Sequence, residues 1–140
     1  MNKDALIDQL KSDEGFVPHV YLDSLGYETL GYGFLVDERK NGRIPREVAD
    51  YWLRWEVDRL TSLLANRLKC FSSQPPEVRE ALVNMAYQMG LKGLLGFRKM
   101  LAALEMGDRA RAADEALDSR WASQTPNRAQ RVAAMIRGGE

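Results

Sequence analysis

The sequence predicts an α+β fold, mainly α, in which a small N-terminal β-hairpin lobe is joined by one long helix to a C-terminal helical lobe. Three observations predict it. A glycine- and aromatic-rich stretch, DEGFVPHVYLDSLGYETLGYGF from Asp13 to Phe34, carries strand and turn signals. An unbroken helical pattern follows over Pro45 to Leu68. Beyond it, Pro and Gly punctuate a run of shorter helical segments to the end of the chain. At 140 residues the chain is read as one domain, large enough to bury a core. Its lobes are drawn at about 14–44 for the hairpin, 45–68 for the connecting helix, and 1–13 with 69–140 for the helical lobe.

Lys3 to Asp13 is helical because Leu6, Ile7 and Leu10 share one face. Gly15 can end it and Pro18 prevents its continuation. Glu14 then stands near the helix C-terminus, where the dipole disfavours negative charge and helps keep a carboxyl protonated. Phe16–Tyr21 and Tyr27–Phe34 read as two strands around an Asp-Ser-Leu-Gly turn. Such a hairpin alone is marginal, so a third strand or a packed helix is required. Asn41-Gly42 signals a turn.

Pro45 suits a first helical position, and Val48, Trp52, Leu53, Val57, Leu60, Leu64 and Leu68 recur at spacings of three and four. That helix spans roughly 35 Å. Helices are then expected over Pro76–Met89, stopped by Gly90; over Lys92–Phe97 as a short helix or turn; and over Arg98–Met106, stopped by Gly107. Asp108 is the expected N-cap of Arg109–Asp118, and Thr125-Pro126 opens a last helix to about Arg137.

Composition narrows the function classes. The chain is 45% apolar and 29% charged, which suits an ordinary globular protein. No apolar run approaches the ~20 residues of a membrane span, and the charged N-terminus lacks a secretory signal, so folding in a cytoplasm is expected. The single Cys70 cannot form an internal disulfide, and with one histidine, His19, no zinc site is expected. Net charge is zero but unevenly spread. Residues 1–38 hold Lys3 and Lys11 against eight acidic residues, whereas Ser119–Gly139 carries only Arg120, Arg128, Arg131 and Arg137. This asymmetry fits attraction between lobes or an anionic polymer, cell wall or nucleic acid.

The chemistry points to Glu14, Asp23 and Thr29, separated by eight and then five residues. Two carboxyl groups and a hydroxyl on a tight scaffold suit glycoside hydrolysis, one carboxyl protonating the leaving oxygen and the other activating water. Each residue also has an ordinary reading: a solvated helix end, a turn Asp, a strand Thr.

The stretch resembles the phage-type lysozyme family through Glu14, Gly15, Tyr21, Asp23, Gly26, Thr29, Gly31 and Gly33. Two further blocks agree: NMAYQMG at Asn84–Gly90, and SRW with QTPNRAQRV at Ser119–Trp121 and Gln124–Val132. The resemblance implies a lysozyme-like fold and a peptidoglycan hydrolase cutting between N-acetylmuramic acid and N-acetylglucosamine with inversion. Inversion needs carboxyls roughly 6.5–9.5 Å apart to admit water. Glu14 is then the general acid, Asp23 holds or activates water, and Thr29 helps place it. Arg128 matches the arginine that pairs with the catalytic Glu, with burial expected to keep Glu14 protonated against that cation. Substrate contacts are expected from Gly33, Phe34, Leu35, Met85, Tyr87, Gln88 and Arg120, with core packing an equal reading for Met85, Tyr87 and Gln88 and a solvated surface the other reading for Arg120, while Trp121 and Gln124 hold the bundle.

The resemblance implies no metal or organic cofactor, a glycan-strand substrate, a monomer, no nucleic-acid partner and no membrane insertion. Without a signal the enzyme would need a separate membrane hole, a holin, to reach the wall in the periplasm. Phe34 stands where the family has His, and Glu56 keeps the carboxylate that His would pair with, so that ion pair is absent. Glu56 is left to Arg54, Arg59 or solvent. Intact Asp23 and Thr29 weigh against a lytic transglycosylase, and the full trio against a non-catalytic wall-binding or bacteriocin module.

Overall fold

Asn2 begins the first helix, its side chain accepting from the Ala5 amide at 3.0 Å. A computed structural model describes residues 1–35 and 43–139; the expected Asn41-Gly42 turn lies outside them. Helix α1 runs Lys3–Glu14 and stops at Gly15, whose φ of 69° is left-handed and whose N–H reaches Lys11 O. The stripe Leu6, Ile7 and Leu10 is present, but no residue of α1 is buried.

Three antiparallel strands follow in the order β1 (Val17–Leu22), β2 (Glu28–Gly31) and β3 (Phe34–Leu35). The second expected strand, Tyr27–Phe34, is therefore broken. Gly31 and Gly33 both adopt φ of 70°, which turns the chain at Tyr32-Gly33 and makes a third strand from its end. This is the third strand that a marginal hairpin needs. In the register, Thr29 of the central strand sits between Tyr21 of β1 and Leu35 of β3. Between Val17 and Tyr21 the pairing slips, in the segment containing Pro18, which has no N–H to give.

Helix α2 spans Arg46–Arg67, and Pro45 caps rather than starts it, its carbonyl accepting from Val48 and Ala49. The chain divides into two compact units, Met1–Tyr51 and Trp52–Glu140, with the division falling inside α2. Thus α1 counts with the hairpin.

The second unit holds the apolar core. Its helices are the later part of α2, then α3 (Pro76–Leu95), α4 (Arg98–Glu105), α5 (Arg109–Leu117), α6 (Arg120–Gln124) and α7 (Pro126–Arg137). Gly90, with φ 81° and ψ 164°, breaks α3 into two segments, as its place in the sequence led us to expect. Asp108 caps α5 through the Arg111 amide at 3.0 Å. Two features differ from expectation. Ser119 caps an additional five-residue helix, α6, through Ala122. Thr125 precedes α7, but its hydroxyl donates back to Trp121 O at 3.0 Å instead of capping. Leu60, Leu64, Phe71, Leu82, Met85, Leu94, Leu104 and Ile136 fill the core, and α5 packs on both α4 and α7.

Arg109 ties this unit together. Its Nε donates to Ile136 O at 2.8 Å and its Nη2 to Met135 O and to Glu77, each at 3.1 Å. A guanidinium thereby satisfies carbonyls that the end of α7 leaves open. The bond from its own backbone N–H, and then the Arg109 guanidinium, hold the Glu77 carboxyl below its ordinary 4.5.

Candidate active site

The tight turn after β1 dictates how Asp23 is held. Asp23 N donates to Tyr27 O at 2.8 Å, and Gly26 N to Asp23 O at 3.0 Å, closing the Asp-Ser-Leu-Gly turn. The Asp23 side chain then accepts at Oδ1 from the amides of Leu25 and Tyr27, both at 2.9 Å. Oδ2 makes no hydrogen bond among the described residues. One oxygen, Oδ1, therefore fixes the carboxylate in the turn.

Thr29 is joined to the same device. It is the buried polar side chain of the hairpin, 5% exposed, and its hydroxyl donates to Tyr27 O at 3.2 Å. The backbone of Tyr27 thus connects Asp23 and Thr29, accepting from both and donating to one. The Asx turn accounts for the Leu25 amide two residues on, whereas the Tyr27 bonds are not implied by that turn signal.

Glu14 is the last residue of α1, at the helix C-terminus as expected. The burial expected for it is not found, because Glu14 is exposed. Its carboxylate lies against the α-carbon of Gly33 in the β2–β3 turn. Around that contact, Lys11 Nζ stands 5.8 Å from the Tyr32 ring centroid, and Tyr32 packs on Phe16 at 5.4 Å and Phe34 at 6.3 Å. Nothing in the sequence pattern marks Lys11 and Tyr32, since contacts between a helix and a turn leave no periodic trace. All three proposed catalytic residues lie in the first compact unit.

The other expected site residues fall as follows. Phe34 and Leu35 form β3 and are exposed, and the Phe34 ring folds over Gly31. Met85 is a correction: it is completely buried, one turn on from Leu82 in the core stripe of α3, so it presents no surface to a ligand. Tyr87 is exposed and, with Arg128, Asn84, Leu53 and Val57, lines a groove of about 510 Å³ within the second unit. Arg79 also lines it, and its buried Nε has no hydrogen-bond partner among the described residues. Arg128 donates from Nε to Asn84 Oδ1 at 2.9 Å and from Nη2 to Asn84 O at 3.3 Å. Gln88 accepts from Trp121 Nε1 at 2.8 Å, and Trp121 meets Phe97 edge-on, so this tryptophan braces the bundle as expected. Arg120 is exposed on a second groove of about 500 Å³ with Glu115, Asp118 and Lys99.

Glu56 takes Arg59 as its partner, through Nε at 3.2 Å and Nη2 at 2.9 Å. That bond holds its carboxyl below the ordinary value. His19 is exposed on β1. No group of potential metal ligands occurs among the described residues, and no described helix is long and apolar enough to cross a membrane.

Comparison with known proteins decides the family. The model described as phage lysozyme matches residues 11–137. The chain belongs to the phage lysozyme family. That range takes in Glu14, the turn of Asp23, Thr29, and α7 with Arg128. Among curated relatives, probable T4-type lysozyme 1 of Dictyostelium discoideum is 31% identical, covering 96% of this chain and 95% of that protein. Probable T4-type lysozyme 2 of the same organism is 27% identical at the same coverage. Pre-baseplate central spike protein Gp5 of Enterobacteria phage T4 is 30% identical over 96% of this chain, which spans only 28% of Gp5. As a phage lysozyme, this chain is a glycoside hydrolase of lysozyme type whose substrate is peptidoglycan.

Proposed function

We propose that this phage lysozyme cleaves the β-1,4 bond between N-acetylmuramic acid and N-acetylglucosamine with inversion, and serves as an endolysin in host lysis. Glu14 donates its proton to the leaving glycosidic oxygen. Asp23 and Thr29 hold the water that attacks the opposite face of the sugar. The observation that carries this reading is the Asp23 carboxylate, with Oδ1 fixed by the Leu25 and Tyr27 amides and Tyr27 also holding Thr29. A water-holding pair needs that rigidity, since small misplacements of reacting groups are costly.

Arg128, held by Asn84, is the supporting cation. Phe34, Leu35, Tyr87, Gln88 and Arg120 contact the glycan or its peptide stems. The enzyme acts as a monomer and as a single domain without cofactor, on the wall in the periplasm, after release through a separate membrane hole. The test is turbidity loss of chloroform-treated Gram-negative cells. Wild-type protein is expected to clear them, and folded Glu14→Gln to leave them turbid. Clearing by Glu14→Gln at the wild-type rate would overturn the assignment.

A further inference from the structure

We propose that Gly33 is a positioning residue for Glu14, acting through the seat it leaves for the carboxylate; this rests on the reading of Glu14 as the acid. Gly33 is expected as a substrate contact, and its α-carbon also faces the Glu14 carboxylate. A β-carbon at Gly33 would lie 2.6 Å from Glu14 Oε2 and 3.2 Å from its carboxyl carbon. Only glycine leaves that space, and its φ of 70° also favours glycine.

Glu14 needs such a seat. It is exposed, so surrounding core does not hold it, and a long side chain at a helix end is otherwise free among rotamers. A proton donor has to be held within about half an ångström of its productive place. The turn carrying Gly33 is itself clasped to α1, with Lys11 over Tyr32 one helical turn before Glu14, and Phe16 against the same ring. Helix end, aromatic clasp and bare α-carbon together define where the carboxylate rests.

The experiment is a double-variant cycle on purified protein with soluble glycan strands. Gly33→Ala is expected to lower kcat about 10-fold or more with KM little changed, as a displacement near 1 Å would. Gly107→Ala, also at positive φ (78°) but with nothing within 4 Å, serves as the strain control and is expected to keep its kcat. In a Glu14→Asp background the carboxylate is drawn back by one methylene, and adding Gly33→Ala is expected to cost much less. An equal loss in both backgrounds, or a raised KM at unchanged kcat, would overturn the proposal.

Nuclear Overhauser contacts between Glu14 γ protons and Gly33 α protons in the wild-type protein test the seat whether or not any variant folds. Their absence would also overturn it. If these contacts are present while Glu14→Gln stays active, the seat stands and the catalytic reading of Glu14 is what fails.

Discussion

The two compact units are stabilised in different ways. In Trp52–Glu140, a continuous set of apolar side chains from α2 to α7 is buried, many completely. In Met1–Tyr51, α1 buries nothing, and Thr29 is the buried polar side chain of a three-stranded sheet. The proposed chemistry sits in this sparsely packed unit. Its geometry is carried by short-range devices: an Asx turn, a positive-φ glycine against a carboxylate, a lysine over a tyrosine ring. Changes at Glu14, Asp23 and Thr29 in the first unit should therefore move activity far more than stability, and changes in the buried core of the second should do the reverse.

The sharpest expected contrast is at Glu14. Glu14→Gln should lower activity on peptidoglycan by about 10²–10⁴-fold, the range for a lost acid or base, with the melting temperature near wild type. Asp23 separates catalysis from folding within one residue. Asp23→Asn keeps an acceptor at Oδ1 for Leu25 and Tyr27, so it should melt like wild type yet lose activity about as severely as Asp23→Ala. Asp23→Ala should also lose roughly 0.5–1.5 kcal/mol for each of the two turn hydrogen bonds, read by denaturant unfolding.

In the second unit, Leu82→Ala should cost about 2–5 kcal/mol by the same measurement, because it empties part of a closed core. A smaller effect is expected at Arg109→Ala, roughly 1–2 kcal/mol, mainly from the Ile136 and Met135 carbonyls left open.

The smallest effect is a pH dependence. Glu77 has a lowered carboxyl pKa when folded, so its contribution is present at neutral pH and is lost as pH falls below the ordinary 4.5. The melting-temperature gap between wild type and Glu77→Gln should close over that range. A gap that widened on acidification would reverse the sign of this interaction.

Much of the fold was legible because helices repeat. Val57, Leu60 and Leu64 announced α2, and Gly90, Gly107 and Asp108 marked real interruptions and caps. Helix α6 was not legible, since five residues are too few to show a period. The break at Tyr32-Gly33 was hidden in an alternating run that reads as one strand. For Met85, cleft lining and core packing are both open in the sequence, and its spacing from Leu82 on the buried face of α3 decides for the core. The proposed trio Glu14, Asp23 and Thr29 stands out through its resemblance to the phage-type lysozyme motif, since the residue types alone leave ordinary readings open. What holds each of them was not legible, because Tyr27, Gly33 and Lys11 act through backbone groups and cross-element contacts. The bond between Arg128 and Asn84, 44 residues apart, is of the same kind.

The most direct test follows the first product formed from the glycan strand by proton NMR. Water delivered by Asp23 and Thr29 opposite the departing oxygen should release the new reducing end as the α anomer, which then equilibrates to the mixture. A β anomer at the outset, or an anhydro end in place of a reducing one, would contradict the assignment of one carboxyl to the proton and the other to water.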